Sequence, residues 1–213
     1  MPLAPDRLGD LGALFGQGGD PRWCWCSYHR GGSTEARRDD RIPTNRAVLE
    51  KATAASAADG RGPGLIAYRD GEAVGWVAMA PREELARLER STVLRRVDDQ
   101  PVWSITCFVV GKRHRGQGIA AALLEAAIAY AAEHGATLLE AYPFDSRGER
   151  IQAAYAYRGA LSMFEQAGFE VVARRRFNRT SPEWSIVRRA IRQRAARPTA
   201  DGARRSRSRS PHT

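Results

Sequence analysis

Two glycines separated by one residue, Gly116 and Gly118, lie within the basic segment RHRGQGIA at residues 113–120. A valine-rich run precedes them and an alanine- and leucine-rich run follows, which predicts a strand, a turn and a helix. The N–H groups that begin a helix are free, and the helix dipole favours negative charge there. Because glycine has no Cβ, an anion can approach the backbone closely. The segment predicts a site for a phosphate-bearing ligand, with a plain turn bearing solvated arginines as the alternative.

Two other phosphate-binding loops are excluded by the residues themselves. The chain has no G-x-x-x-x-G-K-[ST] motif, and Ala121 stands where G-x-G-x-x-G requires its third glycine. The basic residues around the two glycines would instead pair with a pyrophosphate.

The segments around this loop predict a single α/β domain with a mixed sheet. The clearest feature is a hairpin over residues 64–81 that turns at Asp70-Gly71. Further strands are expected over 102–110, 136–144, 169–177 and 184–191. Helices are expected near 8–15 and over 44–60, 82–96, 117–135 and 149–168, with 82–96 exposed.

The net charge of +10 is concentrated at the end of the chain. Nine arginines and one acid lie between Arg188 and Thr213, which leaves a charge of +2 for all the preceding residues. Residues 193–213 cannot bury a core and are expected to be a disordered basic tail, so the domain spans 1–192. A nearly neutral domain argues against nucleic acid as its partner, beyond weak contact through the tail.

The sequence indicates a cytoplasmic protein without a membrane anchor. No apolar run reaches the roughly 18–20 residues that a membrane helix needs, and the N-terminus lacks the basic-then-apolar order of a secretion signal. Three cysteines, Cys24, Cys26 and Cys107, do not suggest a disulfide scaffold.

The pattern Arg113-x-x-Gly116-x-Gly118, with FEQAGF at 164–169, resembles the GNAT superfamily of N-acetyltransferases over about residues 65–189. The resemblance implies a mixed, mostly antiparallel sheet flanked by helices, with two strands that splay at the acetyl-CoA site. It implies transfer of an acetyl group from acetyl-CoA to a primary amine, small or peptidic, by direct attack in a ternary complex. No metal is expected, and a homodimer is one arrangement that such families adopt.

The resemblance also assigns the cofactor site, within a core of residues 61–192. The backbone of Phe108, Val109 and Val110 would bind the pantetheine arm, and the N–H at or near Phe108 would polarise the thioester carbonyl as an oxyanion donor. The pyrophosphate would lie against Arg113, His114, Arg115, Gly116, Gln117, Gly118, Ile119 and Ala120.

The chain departs from the family pattern at the proton donor. Phe164 stands where many members have a tyrosine that protonates the departing thiolate, so it could only contact the cofactor. Tyr157 or Tyr155 could replace that acid, water could suffice, or Tyr157 could simply pack at the cofactor edge.

Candidates for a proton-relaying base are Glu140, Asp145 and Ser104, of which Glu140 is preferred because its strand flanks the site. The alternative is a Glu140 carboxylate paired with an arginine. Cys107 could form an acetyl-cysteine, but no activating partner is readable and a buried packing role is favoured.

The segment RWCWCSYHR at residues 22–30 is expected to line the acceptor pocket. In the superfamily the early helices, here within 1–60, form the acceptor side of the cleft, although a first strand before them is not visible. The resemblance implies substrate contacts by Trp23, Trp25, Tyr28 and His29, with ordinary core aromatics as the alternative. A zinc site at Cys24, Cys26 and His29 is disfavoured by the spacing.

A second function remains open alongside the enzyme. The missing tyrosine at position 164 would also suit a catalytically weak or inactive CoA-binding protein of the same fold. Its basic tail would then tether it to nucleic acid or an acidic partner, whereas a flexible tail without a specific role is the preferred interpretation.

Overall fold

A computed structural model describes residues 1–17, 21–35, 37–146 and 156–191. Within them lies a six-stranded sheet in the order β1-β2-β3-β4-β6-β5. The strands are β1 (Gly64–Arg69), β2 (Glu72–Pro81), β3 (Trp103–Val110), β4 (Leu138–Ala141), β5 (Glu170–Arg175) and β6 (Trp184–Ala190). Only β3 and β4 pair in parallel, and the other neighbours are antiparallel. The expected mixed, mostly antiparallel sheet is confirmed.

Six α-helices lie in the same described segments, together with short 3₁₀ turns. They are α1 (Leu8–Gly16), α2 (Pro21–Cys24), α3 (Arg41–Ala58), α4 (Ala86–Glu89), α5 (Ile119–Glu133) and α6 (Leu161–Gln166). Of these, α3 begins three residues before the predicted start at Thr44, because Pro43 is accommodated in its first turn. Among the described residues, no helix combines the length and apolar composition that crossing a membrane requires.

The hairpin turns at the predicted residues. Asp70 and Gly71 both have positive φ, +50° and +81°, as a two-residue turn of this hand requires. On the far side of β1, Pro2 forms an isolated antiparallel bridge with Leu65, flanked by hydrogen bonds from Leu3 N to Gly64 O and from Ile66 N to Met1 O, so the first strand is reduced to this short bridge.

The sheet is covered on both faces by hydrophobic clusters. One cluster joins β2 and β3 to α5 and α6 through buried side chains such as Val77, Ile105, Phe108, Leu124 and Phe164. The opposite face packs against the N-terminal helices through Leu11, Phe15, Leu49, Trp76 and Val109. The core is therefore split by the sheet, and the functional residues must lie at its edges.

The predicted exposed helix over 82–96 is wrong. The segment contains a 3₁₀ turn at Arg82–Glu84, the single-turn α4, and turns beyond it. Its apolar side chains Leu85, Leu88, Val93 and Leu94 are buried. Acids preceding bases favour an exposed helix by only about 0.2–0.5 kcal/mol per pair, which burial of four apolar side chains outweighs.

The prediction of a single helix over 149–168 is also wrong. Residues 149–155 lie outside the described segments, and the described remainder is not one helix. A 3₁₀ turn at Ala156–Arg158 is separated from α6 by Gly159, whose φ is +75°. A Cβ there would lie 2.9 Å from Met163 Cε and 3.0 Å from Phe164 Cε2. Glycine is thus needed at the break, and Tyr157 belongs to a separate turn rather than to α6.

A buried ionic network joins β2, β4 and β6. Glu140 Oε1 accepts hydrogen bonds from Arg82 Nη1 at 2.6 Å and from the Tyr142 hydroxyl at 2.7 Å. Its Oε2 accepts from Arg188 Nε at 2.8 Å, and Glu140 and Arg82 are each only 1% exposed. Burial and the Glu140 charge hold the pKa of Tyr142 well above its ordinary value, so the phenol stays a donor. Glu140 therefore bridges two guanidinium groups inside the fold, and each has a second, partly exposed carboxylate partner: Glu89 for Arg82 and Asp98 for Arg188.

We expect Glu140→Gln to lower the free energy of unfolding by about 3 kcal/mol, because it removes the buried carboxylate between Arg82 and Arg188 and leaves them only the partly exposed Glu89 and Asp98. Urea unfolding measures this change. Glu50→Gln is the matched control, since Glu50 pairs with Arg46 on the exposed face of α3 and should cost about 0.5 kcal/mol or less. Equal losses in the two variants would contradict this role for the network.

Candidate active site

The parallel strands β3 and β4 pair over only three residues. Trp103 to Ile105 pair with Leu139 to Ala141, after which β4 ends at Ala141 while β3 continues to Val110. Pro143 follows soon after and cannot donate to a sheet ladder. Within the described segments, the last five residues of β3 therefore have no strand on that side, which is the splay that the resemblance to the superfamily implied.

The register identifies the backbone groups that face this gap. Gly111 N donates to Val74 O at 2.9 Å, and the pairing with β2 continues with Val109 opposite Trp76. Because backbone groups alternate sides in an antiparallel ladder, those of Val109 face β2 and those of Phe108 and Val110 face the gap. Of the three residues predicted to bind pantetheine through the backbone, Phe108 and Val110 thus direct their N–H groups into the gap, where the Val110 carbonyl accepts from Arg115 Nε at 3.2 Å.

A bulge at Thr106 changes the direction of the strand next to the gap. Ala78 pairs with Cys107, but Met79 pairs with Ile105, so β3 has one residue more than β2 at this point. Bulges re-aim side chains and increase local twist. As a result Thr106 and Cys107 both line one cavity, while the Phe108 side chain packs with the α5–α6 cluster.

The loop after β3 contains the residues predicted to bind the pyrophosphate. A 3₁₀ turn at Lys112–His114 leads to Gly116 and Gly118, with φ of +74° and +76°, and Gly118 is the N-cap of α5. A Cβ at either glycine would meet no atom within 4 Å, so the space beside the backbone is open.

Charge and hydrogen bonds complete the predicted cradle for the pyrophosphate. Arg115 Nε donates to Val110 O at 3.2 Å, and Gln117 Nε2 donates to Arg113 O at 3.0 Å. Among the described residues, no carboxylate lies within ion-pair distance of Lys112, Arg113 or Arg115. An open backbone edge that runs directly into a basic helix N-terminus fits a ligand with an extended amide arm and a pyrophosphate. Predicted residues His114, Ile119 and Ala120 lie in the same loop and first helical turn.

Phe164 lies in the core rather than at the cofactor surface. Its side chain is fully buried, with its ring centroid 6.0 Å from that of Phe108 and 5.2 Å from that of Phe169, both edge to face. It therefore supports β3 from below, and a predicted direct contact with the cofactor would require it to move.

A cavity of about 880 Å³ opens on the other face of the β3 edge. This size is at the upper end of the range for small-molecule sites. Its lining combines residues from the N-terminal segment, the α4 region, β3 and the β5–β6 end of the sheet. The members used below are Trp23, Cys24, Cys26, Tyr28, His29, Arg38, Arg41, Arg87, Arg90, Thr106, Cys107, Tyr157, Phe177 and Trp184.

Three of the four predicted acceptor-side residues line this cavity. Trp23, whose Nε1 donates to Asp39 Oδ1 at 2.9 Å, lies there with Tyr28 and His29. Trp25 instead packs in the core, 6% exposed and edge to face with Phe15. The alternative of a core aromatic thus describes Trp25.

His29 lies half-buried beside the cavity, with its Nδ1 atom buried, in a positive environment. Burial lowers its pKa from 6.5 to about 4, with smaller contributions from Arg87, Arg82 and Arg158. The ring is therefore neutral at pH 7. Its Nδ1 has no hydrogen-bond partner among the described residues, so it can bind a polar group of a ligand.

Tyr157 presents a phenol to the cavity near Cys107. Burial raises its pKa to about 12, so the hydroxyl keeps its proton at neutral pH. The side chain packs against the N-terminal cluster, but the hydroxyl makes no hydrogen bond to a described residue.

The three cysteines lie close together without a metal site. Cys107 Sγ is 3.0 Å from Cys26 Sγ, and the Cys26 N–H donates to Cys24 Sγ at 3.4 Å. All three are free thiols, and the Cys107 hydrogen bond raises the pKa of Cys26 well above its ordinary value, with burial adding to the shift. No group of three or more metal-ligating side chains occurs in the described segments.

The predicted bases do not meet at the cavity. Glu140 and Ser104 belong to the buried network, where Ser104 Oγ lies 2.9 Å from the Tyr142 hydroxyl. Asp145 Oδ2 accepts from Arg174 Nη1 at 3.0 Å, away from the cavity lining. The geometry of Glu140 favours the alternative of a carboxylate paired with arginines.

Sequence reasoning missed the four arginines that line the cavity, Arg38, Arg41, Arg87 and Arg90. Both pairs have the i, i+3 spacing that places side chains on one side of a helical turn. That spacing was the available signal, but it could not show that the two turns face one space.

Residues 23–169 match the model of the acetyltransferase (GNAT) family. Polyamine N-acetyltransferase from Drosophila melanogaster is 11% identical, with a TM-score of 0.57 over 89% of this chain and 98% of that one. Ribosomal-protein-alanine N-acetyltransferase from Brucella melitensis is 19% identical, with a TM-score of 0.53 over 90% and 98%. The acetyltransferase yncA from Salmonella typhimurium, solved with its cofactor acetyl-CoA, is 17% identical, with a TM-score of 0.53 over 89% and 92%. No curated protein matches the chain.

We expect acid to destabilise the fold through His29. Since its pKa is about 4 when folded and about 6.5 when unfolded, only the unfolded chain binds a proton as the pH falls below 6.5. Between pH 7 and pH 4.5, the wild type should lose about 2–3 kcal/mol more unfolding free energy than His29→Phe, which cannot titrate. Urea unfolding at both pH values measures the difference. Parallel losses in the two proteins would show that His29 does not titrate in this way.

Proposed function

Because the chain belongs to the acetyltransferase (GNAT) family, we propose that it transfers the acetyl group of acetyl-CoA to a primary amine by direct attack in a ternary complex. The observation that carries the proposal is the continuity of the β3 edge with the glycine cradle. A pantetheine arm needs backbone partners and a pyrophosphate needs a helix N-terminus. Here α5 begins at Ile119, nine residues after the end of β3 at Val110.

The residues of the β3 edge bind acetyl-CoA and polarise its thioester carbonyl. Backbone groups of Phe108 and Val110 hydrogen-bond the pantetheine amides and the thioester carbonyl, while the N–H groups at the start of α5 hold the pyrophosphate. Acetyl-CoA supplies the activated thioester. The Phe108 N–H then stabilises the negative charge that develops on the carbonyl oxygen during amine attack.

Tyr157 serves as a hydrogen-bond donor to the departing sulfur. A phenol with a pKa of about 12 is fully protonated at pH 7. Complete transfer of its proton to a thiolate of ordinary pKa, about 8.5, would be uphill by about 5 kcal/mol. We therefore assign it stabilisation of the thiolate by a hydrogen bond, with water completing the protonation.

Direct attack is preferred to an acetyl-cysteine intermediate. The Cys107 thiol contacts the Cys26 thiol, whose raised pKa keeps it protonated at pH 7, so it cannot accept the proton of Cys107. Among the described residues, no carboxylate lines the cavity and His29 is too weakly basic to generate a thiolate at pH 7.

We expect Gly118→Glu to weaken CoA binding by more than about tenfold, because it adds a negative charge and a side chain at the pyrophosphate cradle. Calorimetric titration with CoA measures the affinity. Gly135→Glu is a matched control, since Gly135 has φ +80°, has open space beside it and lies beyond the other end of α5. Unchanged affinity in Gly118→Glu, or an equal loss in Gly135→Glu, would contradict the assignment of the cradle.

We expect Tyr157→Phe to lower kcat by about 10- to 150-fold, since a hydrogen bond to a charged group contributes about 1.5–3 kcal/mol. CoA affinity should be unchanged because packing of the ring is kept. Tyr68→Phe, which removes a phenol bonded to Asp10 on the surface, is the control and should retain full turnover. Release of free thiol measures both. Full turnover in Tyr157→Phe would leave protonation to water alone, and CoA binding without turnover in the wild type would favour a CoA-binding protein.

A further inference from the structure

We propose that the acceptor is an anionic primary amine, one that carries a carboxylate or phosphate group bound by the arginines of the cavity. This inference rests on the proposed acetyl transfer and names the class of amine that the same site accepts. The cavity lining contains four arginines and, within the described residues, no aspartate or glutamate.

The arginines come from two sides of the cavity. Arg41 begins α3, and its Nε donates to Glu35 O at 2.5 Å. Arg87 lies in α4, where its Nη2 donates to Gly32 O at 2.6 Å and its guanidinium lies 4.6 Å from the centroid of the Tyr28 ring. These contacts hold the two guanidinium groups in place without neutralising them, since their partners are carbonyl oxygens and a ring face.

Arg90 is the most available of the four. It follows α4 as its C-cap, its side chain is exposed, and it makes no ion pair or side-chain hydrogen bond within the described segments. Planar guanidinium groups match carboxylates and phosphates through paired N–H donors. A cleft lined by one sign of charge also raises the local concentration of ligands with the opposite sign.

Other arginines of the chain have carboxylate partners. Arg30 pairs with Glu84, and Arg82 and Arg188 pair with Glu140. In these places the fold supplies a carboxylate for its own guanidinium groups. Arg41, Arg87 and Arg90 have no ion pair with a described residue, so the anionic partner for these three is expected to come from the ligand.

The same charge distribution suits the chemistry of the amine. A polycationic acceptor would meet repulsion and find no carboxylate in the lining. An acceptor whose anionic group lies on the arginines brings its ammonium into a positive field, which lowers the ammonium pKa and favours the neutral nucleophile. The unpartnered, buried Nδ1 of His29, in the tautomer with hydrogen on Nε2, accepts a hydrogen bond from the amino group.

The test compares amines that differ by one anionic group. Free-thiol release is measured with β-alanine against propylamine, with O-phosphoethanolamine against ethanolamine, and with spermidine as the polycation. We expect the anionic member of at least one pair to exceed its neutral partner at least tenfold in kcat/KM, and the pair that does so identifies carboxylate or phosphate. Preference for the neutral members or for spermidine would overturn the inference while leaving acetyl transfer intact.

Charge reversal assigns the effect to the cavity. Arg90→Glu and Arg41→Glu should each lower kcat/KM for the preferred anionic amine at least tenfold, with the affinity for CoA unchanged. Lys51→Glu makes the same change in charge at an exposed position of α3 outside the cavity and should have no effect. Equal effects in all three variants would indicate a response to net charge and would overturn the inference.

A binding measurement separates this inference from the proposed function. β-Alanine and O-phosphoethanolamine are titrated calorimetrically into the CoA-loaded protein and its Arg90→Glu variant. Binding that is lost in the variant supports the anionic site even if no amine is acetylated, in which case only the proposed transfer fails. Absence of binding by both anionic amines, together with turnover of neutral ones, would refute the anionic acceptor.

Discussion

The divergence of β3 from β4 is the constraint on which the rest of the molecule depends. Backbone N–H and C=O groups in a protein interior need partners, and a sheet normally supplies them from the next strand. Here that strand ends after three paired residues, so the groups of Phe108 and Val110 face a gap. The fold must keep the two strands together below the gap and apart along it, and separate interactions perform the two tasks.

The ionic network holds the paired end of the strands. Glu140 in β4 binds Arg82 at the end of β2 and Arg188 in β6, so three strands are joined at one carboxylate. Along the gap, Phe164 packs edge to face against Phe108 and fills the space beneath β3. At position 164 the side chain fills core volume and has no need of a hydroxyl group, which explains why a phenylalanine stands there.

Local signals in the sequence predicted the parts of the fold that are local in origin. The hairpin at Asp70-Gly71 and the succession from β3 through the glycine loop to α5 are written in consecutive residues, and both were found. The helix predictions for 82–96 and 149–168 were wrong because tertiary contacts decide the structure of both segments. In the first, Arg82 is buried with Glu140. In the second, Met163 and Phe164 approach Gly159 closely. The Arg158-Gly159 step was a readable break, whereas the partner of Arg82 was not.

The same distinction explains why the acyl donor is easier to predict than the acceptor. The donor side is one continuous stretch of backbone, and glycine spacing reports it directly. The acceptor cavity gathers side chains from the N-terminal segment, α4, β3 and the β5–β6 end. It also depends on the positive φ angles of Trp25 and Cys26. At this turn the Trp25 side chain enters the core, whereas Trp23 and Tyr28 face the cavity. Charge in such a cavity cannot be read from net charge. The chain before Arg188 carries only +2, yet carboxylates pair with internal arginines such as Arg82, while Arg41, Arg87 and Arg90 form no ion pair within the described segments. Specificity in this fold therefore lies in how the acids are distributed, because each guanidinium that the protein does not pair itself becomes a binding group.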